Sequence, residues 1–222
     1  MLECVLLILG AYLIGSVPSA YLVARYLKNI DIRRYGSGNA GATNVMVHVG
    51  VVTGLGLGTF DCLVKGTLPI VVGGLLDVPL GVRVSAGLAA VVAHNWSPFM
   101  GLTGGRGVAT AIGLVVGLFL WQEMVILGVV IGFIGKMIYK ETGLWTFVAL
   151  IVLPVLTFVF DRPAEIIVMS VCIGLILMAK RLTANWERPS DDASLVAVLP
   201  RRLLWDRDVA GKTPWTGRSP SR

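Results

Sequence analysis

Long apolar runs separated by short polar breaks occupy the chain from its first residues to Lys180. A helix needs roughly twenty mostly apolar residues to cross the hydrocarbon of a bilayer. Runs of that kind fall at residues 3–26, 54–76, 84–101, 106–121, 122–139, 143–160 and 163–180. The pattern therefore predicts an all-α integral membrane protein of about seven transmembrane helices. One membrane domain covers residues 1–184 and a polar tail covers 185–222. Only a tight turn at Trp121-Gln122-Glu123 divides 106–139 into two spans, and that division stays open. The first run has neither a basic leader nor a small-residue cleavage site before Arg25, so it reads as a retained span. In the tail, Leu195 to Leu204 form an apolar patch suited to the membrane surface, while Lys212 to Arg222 read as disordered.

Composition agrees with this reading. The 222 residues are 55% hydrophobic and only 14% charged, too little charge to cover a soluble globule. The net charge of +6 is spread through short loops and the tail, which fits positive-inside topology and anionic lipid and not nucleic acid. An outside N-terminus puts Arg25, Lys28, Arg33, Arg34, Arg106, Lys136, Lys140, Lys180, Arg181 and the tail in the cytoplasm. Arg83 and Arg162 alone remain outside, beside Asp77 and Asp161. Cys4, Cys62 and Cys172 lie far apart in apolar runs and read as core residues, not as a disulfide or metal framework.

Against this background two segments stand out. Gly36-Ser37-Gly38-Asn39-Ala40-Gly41-Ala42-Thr43-Asn44 and Thr103-Gly104-Gly105-Arg106-Gly107-Val108-Ala109-Thr110 are rich in glycine and small hydrogen-bonding residues. Such loops can turn backbone N–H groups and side-chain donors toward an oxyanion or hydroxyl. The topology just drawn puts both on the cytoplasmic face, where Arg106 ahead of a helix N-terminus suits a phosphate. The second loop lacks the G-x-x-x-x-G-K-[ST] pattern of nucleoside triphosphate sites. Asp61 and Lys65, four apart, share a helix face at a depth where an unpaired charge costs about 2.5–3.5 kcal/mol. Gly66 and Pro69 signal an irregular backbone beside them. His94 and Asn95 end a span immediately before the second loop, and Trp96, Trp121 and Trp145 suit the membrane interface. No nucleophile–base pair or acidic metal cluster can be assembled, so the chemistry expected is the binding and orientation of two reactants, with neither metal nor organic cofactor.

Taken in order, Gly15-Ser16-Val17-Pro18-Ser19-Ala20-Tyr21, Asp31-Ile32-Arg33, Gly36 to Val45, Asp61-x-x-x-Lys65-Gly66, His94-x-x-Ser97-Pro98 and Gly104-Gly105-Arg106-Gly107-Val108-Ala109-Thr110 resemble the bacterial acyl-phosphate:glycerol-3-phosphate acyltransferases, the PlsY family. The resemblance implies a seven-helix enzyme of the bacterial inner membrane that moves an acyl group from acyl phosphate to the 1-hydroxyl of glycerol 3-phosphate. Its products are lysophosphatidic acid and phosphate, and its partners are these substrates and membrane lipid, with homo-oligomerisation left open. By the same resemblance Ser37, Lys65 and Asn185 are catalytic, and Gly38, Asn39, Gly41, Thr43, Asn44, His94, Gly104, Gly105, Arg106 and Gly107 bind substrate. The chain departs from the family pattern at three places: Val47 stands where an arginine is expected, Leu182 where a histidine is, and Ser194 where a glutamate is. His48 is a candidate substitute for the arginine, and Glu187 or Asp191 for the acid. A homologue that binds a phosphorylated ligand or lipid without transfer, or acylates another acceptor, is the alternative. A small phosphate transporter is a third, which would require repeat symmetry that the sequence lacks.

Overall fold

The computed structural model describes residues 1–186 and 194–209, and the regular elements among them are helices. The first span is two helices, α1 (Leu2–Ser16) and α2 (Ser19–Lys28). Pro18 separates them because it has no N–H to donate to the preceding turn. A looped segment and α3 (Ala42–His48) lead to α4 (Val51–Phe60), which runs through a π-helical stretch, Asp61–Thr67, into α5 (Leu68–Leu75). Then follow α6 (Leu80–Asn95) and α7 (Val108–Gly117). α8 (Trp121–Leu127) continues as a second π stretch, Gly128–Ile138. The chain closes with α9 (Thr142–Val159), α10 (Ala164–Thr183) and α11 (Leu195–Trp205).

Five of these helical stretches are long and apolar enough to cross a bilayer: Leu2–Lys28, Val51–Leu75, Trp121–Ile138, Thr142–Val159 and Ala164–Trp186. The expected span at 106–121 is a ten-residue helix, α7, about 15 Å long and so half the hydrocarbon thickness. The expected span at 84–101 begins earlier, at Leu80, and stops at Asn95. Pro98 and the Ser97–Thr103 bridge then turn the chain into a loop. The helix expected from residue 54 starts at Val51. Trp121 does open a new helix, so 106–139 is divided where the tight turn suggested.

Helices in lipid gain little from burying apolar area against one another, so close approach of backbones matters more. α7 lies against the π stretch at Gly66 and Gly113, where a methyl on either glycine would run into a backbone carbonyl of the other helix. α6 is central, contacting α1, α5, α7 and α10, and Val91, Leu114, Met169 and Ile173 meet in the core. Outside, Leu6, Leu13, Val155, Phe158 and Leu175 leave an apolar belt exposed, as a lipid-facing surface requires. Arg162, outside the spans, binds Glu123 at 2.8 Å and Gln122 at 2.6 Å, which joins the first turn of α8 to the turn before α10 at one end of the bundle. The opposite end carries both glycine-rich loops, the turn before α9, and α11.

Candidate active site

The site begins at the helix broken by Pro18. The break leaves carbonyls without their usual helical partners, and at such depth each must be satisfied from elsewhere. Ser97 Oγ donates to the Ser16 carbonyl at 2.6 Å, and Lys65 Nζ donates to the Val17 carbonyl at 2.8 Å. Lys65 also donates to Ser19 Oγ at 2.8 Å and pairs with Asp61 at 2.9 Å, while Ser19 Oγ donates to Asp61 at 3.0 Å. Lys65 and Asp61 are 1% and 2% exposed. His94 Nδ1 lies 3.3 Å from Lys65 Nζ, and the other edge of its ring lies against Gly105. The π stretch adds a residue to the turn and thereby aims the Asp61–Lys65 face at the break.

Above this charge set lies a cavity walled by the Val17–Ser19 break, Ala40 of the first glycine loop, His94 and Ser97, and Gly104 and Gly105 of the second. The first loop is ordered by Asn44, whose Nδ2 donates to the carbonyls of Ile32, Tyr35 and Asn39 at 2.9–3.1 Å. That places Asn44 as the loop's buried organiser, below Gly41, which caps α3. Gly38 and Asn39 lie on the same turn; the Asn39 N–H meets Ser37 Oγ at 3.4 Å, and Asn39 Oδ1 is buried without a hydrogen-bond partner among the described residues. Thr43 is exposed. Beyond the span, Arg33 chelates Asp31 through Nε at 3.0 Å and Nη2 at 2.8 Å, holding the Asp31 carboxyl below the ordinary value of 3.8.

The second loop is gripped from beneath. Asn185 takes Gly104 by both backbone groups, accepting its N–H at 3.0 Å and donating to its carbonyl at 3.2 Å. Lys180, fully buried, donates to Asn185 Oδ1 at 2.7 Å and to the Asn95 carbonyl, with Trp96 beneath its ammonium at 5.2 Å. Gly107 caps α7 at φ +72°, the left-handed region, with the Asn95 side chain directly against it. Arg106 donates from Nε to Asp206 and from Nη1 to the Lys180 carbonyl at 3.2 Å. The structure thus brings Lys65, His94, Gly104 and Gly105 to one cavity, with Ser37 and Asn39 on the loop forming its wall. Asn185 and Arg106 flank the cavity behind the second loop.

A family model described as glycerol-3-phosphate acyltransferase matches residues 5–189. The chain belongs to the glycerol-3-phosphate acyltransferase family. It is 32% identical to glycerol-3-phosphate acyltransferase 5 of Dehalococcoides mccartyi, over 97% of this chain and 93% of that protein. It is 43% identical to glycerol-3-phosphate acyltransferase 2 of Moorella thermoacetica, over 69% of this chain and 77% of that one. The crystal structure of PlsY (YgiH), an integral membrane glycerol 3-phosphate acyltransferase in its glycerol 3-phosphate form, superposes with a TM-score of 0.73 at 30% identity. That likeness covers 81% of this chain and 88% of PlsY.

Within this acyltransferase family framework the three departures can be located. Val47 is exposed on α3, and His48 beside it packs against Tyr35, ring centroids 5.5 Å apart, with Nε2 buried and unpartnered among the described residues. Leu182 is on the surface of α10 and Ser194 precedes α11. Glu187 and Asp191, the candidate replacements for the acid, lie outside the described residues, as do Lys212 to Arg222. Sequence reasoning passed over Ser19, Ser97, Lys180 and Asp206 as site-building residues. Ser19 and Ser97 had a signal in their adjacent prolines; Lys180 had one in ending a span; Asp206 had none, because its partner is a hundred residues away.

Proposed function

We propose that this acyltransferase transfers a fatty acyl group from acyl phosphate to the 1-hydroxyl of glycerol 3-phosphate in phospholipid biosynthesis, forming lysophosphatidic acid and phosphate. The observation that carries the reading is the convergence of both glycine loops on a single cavity floored by Lys65 and His94, in a chain matched to the family over residues 5–189. The PlsY structures in glycerol 3-phosphate and lysophosphatidic acid forms support the acceptor and product. The alkyl chain of the donor stays in lipid, and glycerol 3-phosphate reaches the loops from water. In the step itself the acceptor oxygen attacks the acyl carbonyl, the bond from carbonyl carbon to phosphate oxygen breaks, and the departing phosphate takes the hydroxyl proton. Ser37, Asn39 and the Arg106–Gly107 backbone provide N–H and O–H donors for the phosphates and the developing oxyanion, while the Gly104 and Gly105 N–H groups hold the loop through Asn185 and the His94 carbonyl. Thr43 and Arg106 add contacts at the rim, and Lys65 acts by holding the break at Val17 because its donors are already engaged. Asn185 holds the second loop in shape.

The same reading gives seven membrane-inserted helical units, counting α6 and α7, with the N-terminus outside and the loops and C-terminus cytoplasmic, in the bacterial inner membrane. The test is phosphate release by the purified protein given acyl phosphate and glycerol 3-phosphate, with acyl-CoA as the alternative donor. Release that requires both substrates is expected. Binding of glycerol 3-phosphate without release would instead establish the second reading, binding without transfer, which Val47 and Leu182 favour.

A further inference from the structure

The region matched to the family ends at residue 189, yet the chain continues into α11 and returns to the site. α11 packs on α9 and α10, and Arg181, 4% exposed, donates to the carbonyls of Leu203 and Leu204 at its C-terminal end. Asp206, its left-handed C-cap, places Oδ1 2.8 Å and Oδ2 3.1 Å from Arg106 Nε. Arg106 Nη1 is fixed by the Lys180 carbonyl, whereas Nη2 meets no acceptor among the described residues. The guanidinium is therefore held along one side and has donors to spare on another, beside a loop whose Gly104 and Gly105 N–H groups are already held by Asn185 and the His94 carbonyl. Asp206 pairs with Arg106, which in turn is bound to the carbonyl of the buried Lys180.

Resting on the acyltransferase reading, we propose that Asp206 is a positioning residue for the acyl acceptor: from the C-terminal helix it orients Arg106 so that the free guanidinium edge receives the phosphate of glycerol 3-phosphate. A carboxylate from the tail thus serves the second loop in a chain that has Ser194 where the family resemblance places its glutamate.

The test is steady-state kinetics with acyl phosphate and glycerol 3-phosphate varied separately. Asp206→Asn is expected to raise KM for glycerol 3-phosphate about ten-fold, the loss of one charge-assisted contact, with kcat and KM for acyl phosphate within about two-fold of wild type. Asp206→Glu gives an intermediate KM for the acceptor. Glu141→Gln, which removes the 3.2 Å pair docking Arg207 of the same tail, leaves that KM unchanged. An unchanged or lowered acceptor KM in Asp206→Asn overturns the proposal, as does an equal rise in Glu141→Gln, which would make Asp206 merely a docking contact. Should Asp206→Asn not fold, an acceptor KM in Asp206→Glu equal to wild type overturns it. Wild-type protein that releases no phosphate in response to glycerol 3-phosphate overturns the acyltransferase reading and this proposal together, whereas active wild type with a normal Asp206→Asn overturns this proposal alone.

Discussion

Replacing Lys65 by methionine tests the construction of the site most directly. The side chains match in length, but the change leaves the Asp61 carboxylate, 2% exposed, with Ser19 as its remaining donor and takes from the Val17 carbonyl one of its two hydrogen bonds, leaving the Ser19 N–H. Removing one partner of a buried ion pair costs about 3–5 kcal/mol, because the other charge stays buried and uncompensated. For a chain of this size each kcal/mol lowers the melting temperature by roughly 2–4 °C, so a loss on the order of 6–20 °C is expected. Converting both partners, Asp61→Leu with Lys65→Met, removes the stranded charge and leaves mainly the lost charge-assisted bond to the Val17 carbonyl, about 1–3 kcal/mol. The double variant should therefore melt above Lys65→Met. Thermal unfolding in detergent can be followed with a thiol-reactive dye, since Cys4, Cys62 and Cys172 are free and half-buried. If Lys65→Met melts within about 2 °C of wild type, or the double variant loses the sum of the two single losses, the paired-charge account is wrong.

Two further outcomes follow from the loops and the helix packing. Ser37→Ala should lower kcat/KM by about ten-fold with the melting temperature nearly unchanged, because the hydroxyl makes only a 3.4 Å contact within its own loop; full activity would remove Ser37 from the mechanism. Gly66→Ala forces a methyl into the Thr110 carbonyl and should destabilise by about 1–3 kcal/mol, whereas Gly56→Ala, with open space around it, should not; equal melting of the two would refute the close packing of α7 on the π stretch.

What could be read from the sequence was what depends on local composition. Apolar length set the helices, and Asp61–Lys65 spacing set their pairing, because a helix puts residues four apart on one face whatever surrounds them. The irregularity expected beside Gly66 is the π stretch, and each loop reaches the cavity wall through small residues, Ala40 from the first and Gly104 and Gly105 from the second. Helix ends were less legible: α7 is shorter than its apolar run, since Gly107 sits in the left-handed region at its start and the chain turns after Gly117, with Phe119 also left-handed.

Roles that depend on partners far along the chain were decided only by the tertiary structure. Lys65 pairs with Asp61 as its spacing suggested, but it also holds the Val17 carbonyl at the Pro18 break, 48 residues away. Asn185 looked like a catalytic amide and clamps Gly104 from 81 residues away. Arg106 looked like a bare phosphate ligand and is held by Asp206, a hundred residues on. The sequence by itself determined which residues are chemically able to build an anion site in a membrane protein. Only folding decided which of them hold each other and which face the cavity, because a buried charge or carbonyl takes the nearest partner in space, and periodicity carries no record of that distance.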